Sequence, residues 1–396
     1  MKTTSKTSLP VLGFPFRPFF LLVGLYGALA IVAWMSLLFG GMALPLGMNP
    51  AQWHAHEMLF GLVPAAIAGF VLTAMCNWTG AAPLKGMGLL ALVLLWLAGR
   101  VSFWSAGLLP AWLPFVLDIA FLPVLAIYIA RVLLRHGNKR NLILVGLLGL
   151  LTAANLASHI ARMQVLPSLA VTAEVIALDL IAVVMVVIAG RITPAFTGNW
   201  LRLQGEDPAQ VKQSASLDRI ALIATLAMIP ADLITGVPVL AGFVALVAAV
   251  VNGYRLSQWA GWRTGREPLL WILHVGYAWV VLALLLKGLA PLLDGIPASA
   301  WYHAMGTGAI ATLILGVVTR VSLGHTGRPM KLPRFAVLIY WTILLAGVAR
   351  VLAALGWVDY RTGLMLAAAG WTIAFALFTL LYTPILCSPR ADGRPG

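Results

Sequence analysis

Charge is scarce in this sequence, and acid is the scarcer kind. Only 12 of the 396 residues are Asp or Glu, charged residues of both signs make up 10%, and 61% are apolar. A water-exposed globular surface needs far more charge than that, so a soluble fold is excluded and the solvent is lipid. Cysteine is nearly missing as well. Cys76 and Cys387 stand far apart with no CxxC or CxxCH, which removes a disulfide scaffold, a thiolate zinc site and covalently attached haem. No GxGxxG, phosphate loop, HExxH or nucleophile elbow is present, so nucleotide, peptidase and esterase chemistry has no footing. No catalysed reaction can be read from the chain. The net charge of +14 comes from basic residues scattered singly between apolar runs. They gather into no polar domain, so the excess reflects membrane topology and not nucleic acid binding.

What is abundant is long apolar segments. Runs of roughly 20 residues match the ~30 Å hydrocarbon thickness at 1.5 Å per helical residue, whereas barrel strands would be half as long and alternating. Punctuation by Gly, Pro and charge predicts helices over 16–39, 57–77, 86–106, 111–134, 141–163, 167–191, 217–236, 237–256, 268–290, 298–320, 333–355 and 361–386. The expected fold is therefore all-α, a polytopic integral membrane protein of about twelve transmembrane helices forming one domain over 1–396. The stretch Met1 to Pro10 is polar, with Lys2 and Lys6, and no small-residue cleavage site follows the first run. That run is read as a retained helix.

Twelve spans divide the 26 lysines and arginines unequally. The side holding both termini and the even-to-odd connections receives all but Arg100, Arg162, Lys287, Arg350 and Arg361. By the positive-inside rule both termini are cytoplasmic. The polar connection 199–216, with Gly205, Glu206, Asp207 and Pro208, is a cytoplasmic loop between halves. Helices two, six and ten end alike on the inner side: Asn77-Trp78-Thr79-Gly80, Thr197-Gly198-Asn199-Trp200 and Gly324-His325-Thr326-Gly327. His56 lies thirteen residues before Gly69, and His303 thirteen before Gly316. These matches point to a four-helix repeat; the competing explanation is that Gly, Thr and Trp are common at membrane helix ends.

Seven histidines are present, and position sorts them. His136, beside Arg135, Lys139 and Arg140, is a solvated loop residue, and His159, beside Arg162, is read as interfacial. His54 and His56 stand where a loop enters helix two, in Trp53-His54-Ala55-His56-Glu57-Met58. Residues two apart on a helix point about 200° away from each other, so His54 pairs instead with Met58 at i, i+4, unless the stretch is extended and both histidines share one metal. Imidazole with a thioether suits copper; the plain alternative is an interfacial aromatic and histidine belt. His274 lies inside helix nine with no charge beside it, and haem iron, a metal or a buried hydrogen bond would each satisfy its ring. His303 opens helix ten beside small residues that allow close approach. His325, at the other end of that helix and ~33 Å away by helical rise, cannot share a metal with it. Arg320 and Arg328 flank His325 and suit carboxylates; a glycine C-cap with ordinary inner-side arginines is the other reading. Asp179 falls mid-span, where a charge costs ~2.5 kcal/mol or more unless satisfied. A proton route, a partner for Arg100 or a neutral hydrogen-bonded acid are the options, and Asp118 is a weaker case of the same kind.

Five blocks, in order, carry a resemblance: Phe16-Arg17-Pro18-Phe19-Phe20, Trp53-His54-Ala55-His56-Glu57-Met58-Leu59-Phe60-Gly61, Ala68-Gly69-Phe70-Val71-Leu72-Thr73-Ala74 running into Asn77-Trp78-Thr79-Gly80, Leu273-His274-Val275-Gly276-Tyr277-Ala278-Trp279 and Arg320 through Arg328. Together they resemble the NnrS family over essentially the whole chain. The resemblance implies a bacterial inner-membrane protein containing haem and copper, active in nitric oxide metabolism and nitrosative stress. Its partners are then the lipid bilayer and nitric oxide or nitrosylated iron. It implies cofactor roles for His274, His303, His325, Arg320 and Arg328, with non-covalent b-type haem, and metal roles for His54, His56 and Met58. The haem-copper oxidase analogy meets an obstacle, because no adjacent His-His pair exists here. Two rival functions stand beside this one: a transporter for a metal or small anion built around Asp179, and a b-type cytochrome passing electrons.

Overall fold

The computed structural model describes residues 9–234 and 237–394, and among these there is no strand. Lys2, Lys6 and the last two residues of the expected seventh span lie outside the described residues. Twelve helices are long and apolar enough to cross a membrane. In chain order they are α1 (Phe16–Phe39), α2 (Pro50–Thr79), α3 (Gly86–Trp104), α4 (Trp112–Arg135), α5 (Lys139–Arg162), α6 (Leu169–Leu203), α7 (Pro208–Leu233), α8 (Pro238–Ser257), α9 (Pro268–Leu289), α10 (Ala298–His325), α11 (Val337–Ala354) and α12 (Tyr360–Cys387). The expected all-α polytopic architecture is what the chain adopts.

The differences lie at helix ends. α2 starts seven residues earlier than expected, because Asn49 accepts from the Ala51 N–H at 2.8 Å and Pro50 occupies the first helical position. α6 runs on to Leu203, which absorbs the start of the loop expected at 199–216. The polar Arg191-Ile192-Thr193-Pro194 stretch does not end it. Thr197 returns its hydroxyl to the Thr193 carbonyl at 2.9 Å, a bond that keeps a polar side chain satisfied inside the helix. Two spans also depart from α geometry internally. α2 passes through a π-helical stretch over Glu57–Leu62, and α10 through another over Ala304–Ile310.

The chain divides into two compact units. The first holds Met1–Glu174, Val318–Lys331 and Phe375–Gly396; the second holds Val175–Val317 and Leu332–Ala374. In the first unit α1 packs on the later part of α2, and α3, α4 and α5 pack in sequence. In the second, α8 packs between α7 and α9, while α10 lies against α9 and α11. Each unit inverts the polarity of a soluble protein. Leu25, Leu29, Leu94, Val101, Phe243, Val250 and Leu345 face outward, whereas Arg17, Glu57, Arg100, Asp118, Asp179 and Lys287 are buried. Outward apolar and inward polar residues are what a lipid solvent selects.

Candidate metal centre

The first unit gathers five of its buried ionisable groups, His56, Glu57, Arg100, Asp118 and His159, where α2 and α4 begin and α3 and α5 finish. Close backbone approach makes this possible at Gly99 of α3. A Cβ there would stand 3.2 Å from the Asp118 Cα and the Leu117 carbonyl oxygen, so any larger residue would push α3 and α4 a few tenths of an ångström apart. Arg100, the next residue, then reaches both neighbours. Its Nη1 donates to Glu57 Oε1 at 2.6 Å and its Nη2 to Asp118 Oδ1. Gly61 makes room for the guanidinium on α2, where a Cβ would meet Nη1 at 2.7 Å.

The second oxygen of Asp118 is the focus of the cluster. His159 Nε2 lies 2.8 Å from Oδ2, His56 Nε2 3.2 Å, and Asn155 Nδ2 donates to it at 2.9 Å. His56 Nε2 also lies 3.0 Å from Asn155 Oδ1. One ligand atom from each of His56, Asp118 and His159 therefore falls within 4.8 Å of the others, and all three side chains are buried. The rings are held by packing as well as by polar contacts. His56 stacks on Phe103 at 3.7 Å and 14°, and His159 meets Phe103 and Phe115 edge-on. Tautomers follow from the bonding. Asn155 spends its amide N–H on Asp118, so its carbonyl accepts from His56 Nε2–H, and the remaining lone pair of His56 is on Nδ1. That atom has no hydrogen-bond partner and lies 3.6 Å from Glu57 Oε1.

The sequence reading joined His54 to Met58, or to His56 if the stretch were extended; the stretch is helical. His54 stacks on Trp34 at 4.7 Å and 10°. Met58 is half-buried at the second position of the π-helical stretch. His56 is joined instead by His159 and Asp118. The reading of His159 as interfacial is corrected, since its ring is buried 1% exposed among these groups. Arg162, whose charge suggested a surface, has one guanidinium nitrogen 3.5 Å from His159 Nδ1 and its Cζ 5.5 Å from the Phe103 ring centre.

In the second unit, His274 bonds through Nε2 to Thr197 Oγ1 at 2.9 Å. That hydroxyl already donates to Thr193, so the imidazole is the donor and its lone pair lies on Nδ1. Nδ1 faces Gly261, where a Cβ would stand 2.7 Å away. His303 closes the short helix Ala298–His303, and its Nδ1 lies 2.7 Å from the Ser299 carbonyl. A carbonyl only accepts, so Nδ1 carries the proton and Nε2 the lone pair. Of the options for Asp179, the structure supplies an ion pair with a cation of its own unit. Lys287 Nζ reaches Asp179 Oδ1 at 2.5 Å and Asp232 Oδ2 at 2.6 Å, and lies 4.6 Å from the centre of the Trp301 ring.

Back in the first unit, the His325 ring packs against Phe14 and Phe16 at 6.1 and 5.6 Å. Its carbonyl accepts from Arg390 Nη1 at 2.7 Å, and Arg17 Nη1 donates to the carbonyls of Leu386 and Ser388 at 2.8 and 2.6 Å. These two arginines satisfy carbonyls at the ends of α10 and α12. Arg320 and Arg328 are half-buried, and Arg328 Nη1 is a buried donor with no hydrogen-bond partner.

A family model described as NnrS protein matches residues 10–390, nearly the whole chain. Comparison with curated proteins finds no match.

Proposed function

We propose that this chain, which belongs to the NnrS family, is a membrane protein of the nitric oxide response that holds copper among His56, Asp118 and His159. One observation carries the metal reading: two imidazole Nε2 atoms converge on one carboxylate oxygen in a buried pocket. Imidazole nitrogen with carboxylate oxygen is a donor set that copper accepts. Turning the His56 lone pair to Nε2 would put its N–H on Nδ1, facing Glu57 Oε1, the carboxylate–histidine arrangement that orients metal-bound imidazole. Arg100 would hold both carboxylates in place from the far side. Bound there, copper would supply a centre that takes up nitric oxide or exchanges it with nitrosylated iron.

Non-covalent haem belongs to the same proposal, and the histidines differ in how they suit it. His303 and His325 would be among the residues that hold it. The Ser299 carbonyl leaves His303 Nε2 as the donor atom, and the unused Arg328 donor beside His325 suits a haem carboxylate. His274 engages Thr197 through Nε2, and its Nδ1, buried beside Gly261 with no hydrogen-bond partner, is the atom through which it would reach such a group.

The test uses the full-length chain purified in detergent, with metal analysis and optical spectra. Copper near one per chain is expected, falling to background in both His56→Ala and His159→Ala. Undiminished copper in the two variants would remove this site. Absence of a Soret band in cells supplied with haem would remove the haem part.

A further inference from the structure

The charges around the three donors carry a second consequence, which rests on the metal reading above. Three ionisable side chains are buried together here, each 5% exposed or less: Arg100, Glu57 and Asp118. With both carboxylates ionised their formal sum is a single negative charge. A fourth charged group, Arg162, approaches from α5 with Nη2 3.5 Å from His159 Nδ1. It packs over Phe103, the ring on which His56 stacks. Two arginines therefore flank a set of two neutral nitrogens and one carboxylate oxygen, and one of them already occupies the other oxygen of Asp118.

A monovalent ion would bring the buried groups to neutrality. A divalent ion would leave an uncompensated positive charge in a low-dielectric interior, with Arg162 adjacent, and buried net charge is what such an interior penalises most. Ligand type alone argues the other way, because two imidazoles and a carboxylate are an ordinary zinc set. Charge decides between them. We infer that Arg100 and Arg162 make the His56–Asp118–His159 site selective for a monovalent metal ion, Cu(I), over divalent ions such as Zn(II). Arg162 acts here as a selectivity residue and is not itself a ligand.

Arg162 is also the practical handle, since it is only partly buried and its removal leaves Arg100 holding both carboxylates. The full-length protein in detergent would be titrated anaerobically with Cu(I) against a chelator, and separately with Zn(II). Wild type is expected to retain Cu(I) in the presence of equimolar Zn(II). Arg162→Gln should raise the affinity for Zn(II) relative to Cu(I) roughly tenfold, the size of one screened unit charge several ångströms away. Equal retention of the two ions by wild type, or an unchanged ratio in Arg162→Gln, overturns the selectivity while leaving the metal site standing. Binding of Cu(I) that survives both His56→Ala and His159→Ala, or no Cu(I) binding at all, overturns the site and the selectivity together.

Discussion

Arg100 touches Glu57 and Asp118, residues 43 and 18 positions away in the chain, and both carboxylates are fully buried. Removing the cation alone would leave two buried negative charges, a change that costs ~3–5 kcal/mol where single partners of buried ion pairs have been deleted. Arg100→Met should therefore sharply lower the yield and unfolding temperature of the detergent-solubilised protein. Adding Glu57→Gln and Asp118→Asn should recover most of that loss, because the orphaned charges go with the partner. If the triple variant is no better than the single one, the guanidinium matters through packing and not through charge. Lys287 obeys the same logic in the second unit, with Asp179 and Asp232 as the acids to neutralise. Outside the spans, Asp392 is held at about 2 by hydrogen bonds from Arg390, against an ordinary 3.8. A depressed acid contributes its pairing above the ordinary value and loses it as pH falls through about 2. Protease cleavage of the tail after Ser388 should hence be flat from about pH 5 to 8. Asp392→Asn should accelerate it across that whole window, since Arg390 also ties the tail to the His325 carbonyl.

At the scale of the element, the two π-helical stretches follow His56 and His303 directly, each after a short α-helix that the histidine closes. A π-bulge is in effect one inserted residue, and such bulges collect at functional sites. Inserting one alanine after Val63, where α2 is regular, should turn Pro50–His56 by about 100° relative to the rest of the helix. His56 would leave Asp118, and copper should be lost while the remaining spans still insert; retained copper would show that the aim of this segment does not hold the metal. The matched spacing of His56 and His303 before Gly69 and Gly316 was visible in the sequence, and so were all twelve spans, because an apolar run of span length in lipid has to be helical. The cluster itself was not visible. His159 looked interfacial because its chain neighbour is Arg162, and only the packing of α5 on α4 turns the ring inward. Asp118 and Asp179 could be marked as buried acids needing partners, but the partners Arg100 and Lys287 lie on other helices, and no sequence spacing encodes a contact across helices. Even the start of α2 was written in Asn49-Pro50, a signal outweighed by the polar residues that follow it.

Over the whole molecule, an even number of spans among the described residues would put both chain ends on one side, and the lysine and arginine distribution predicts that this side is the cytoplasm. On that prediction the start of α2 and the end of α5 face outward, and the candidate metal centre is expected toward the outer surface, near Arg162. The helix-to-helix connections give a direct check. Leu108 and Val165 are exposed in connections that the count places outside, whereas Gln204 is exposed in one that it places inside. With Cys76 and Cys387 replaced by alanine, single cysteines at Leu108 and Val165 should react with a membrane-impermeant maleimide in intact cells. A cysteine at Gln204 should react only after permeabilisation. The reverse pattern would turn the protein over in the membrane and move the metal centre to the cytoplasmic face. Opposite labelling of Leu108 and Val165 would mean that α4 or α5 fails to cross, which would dissolve the His56–His159 pairing.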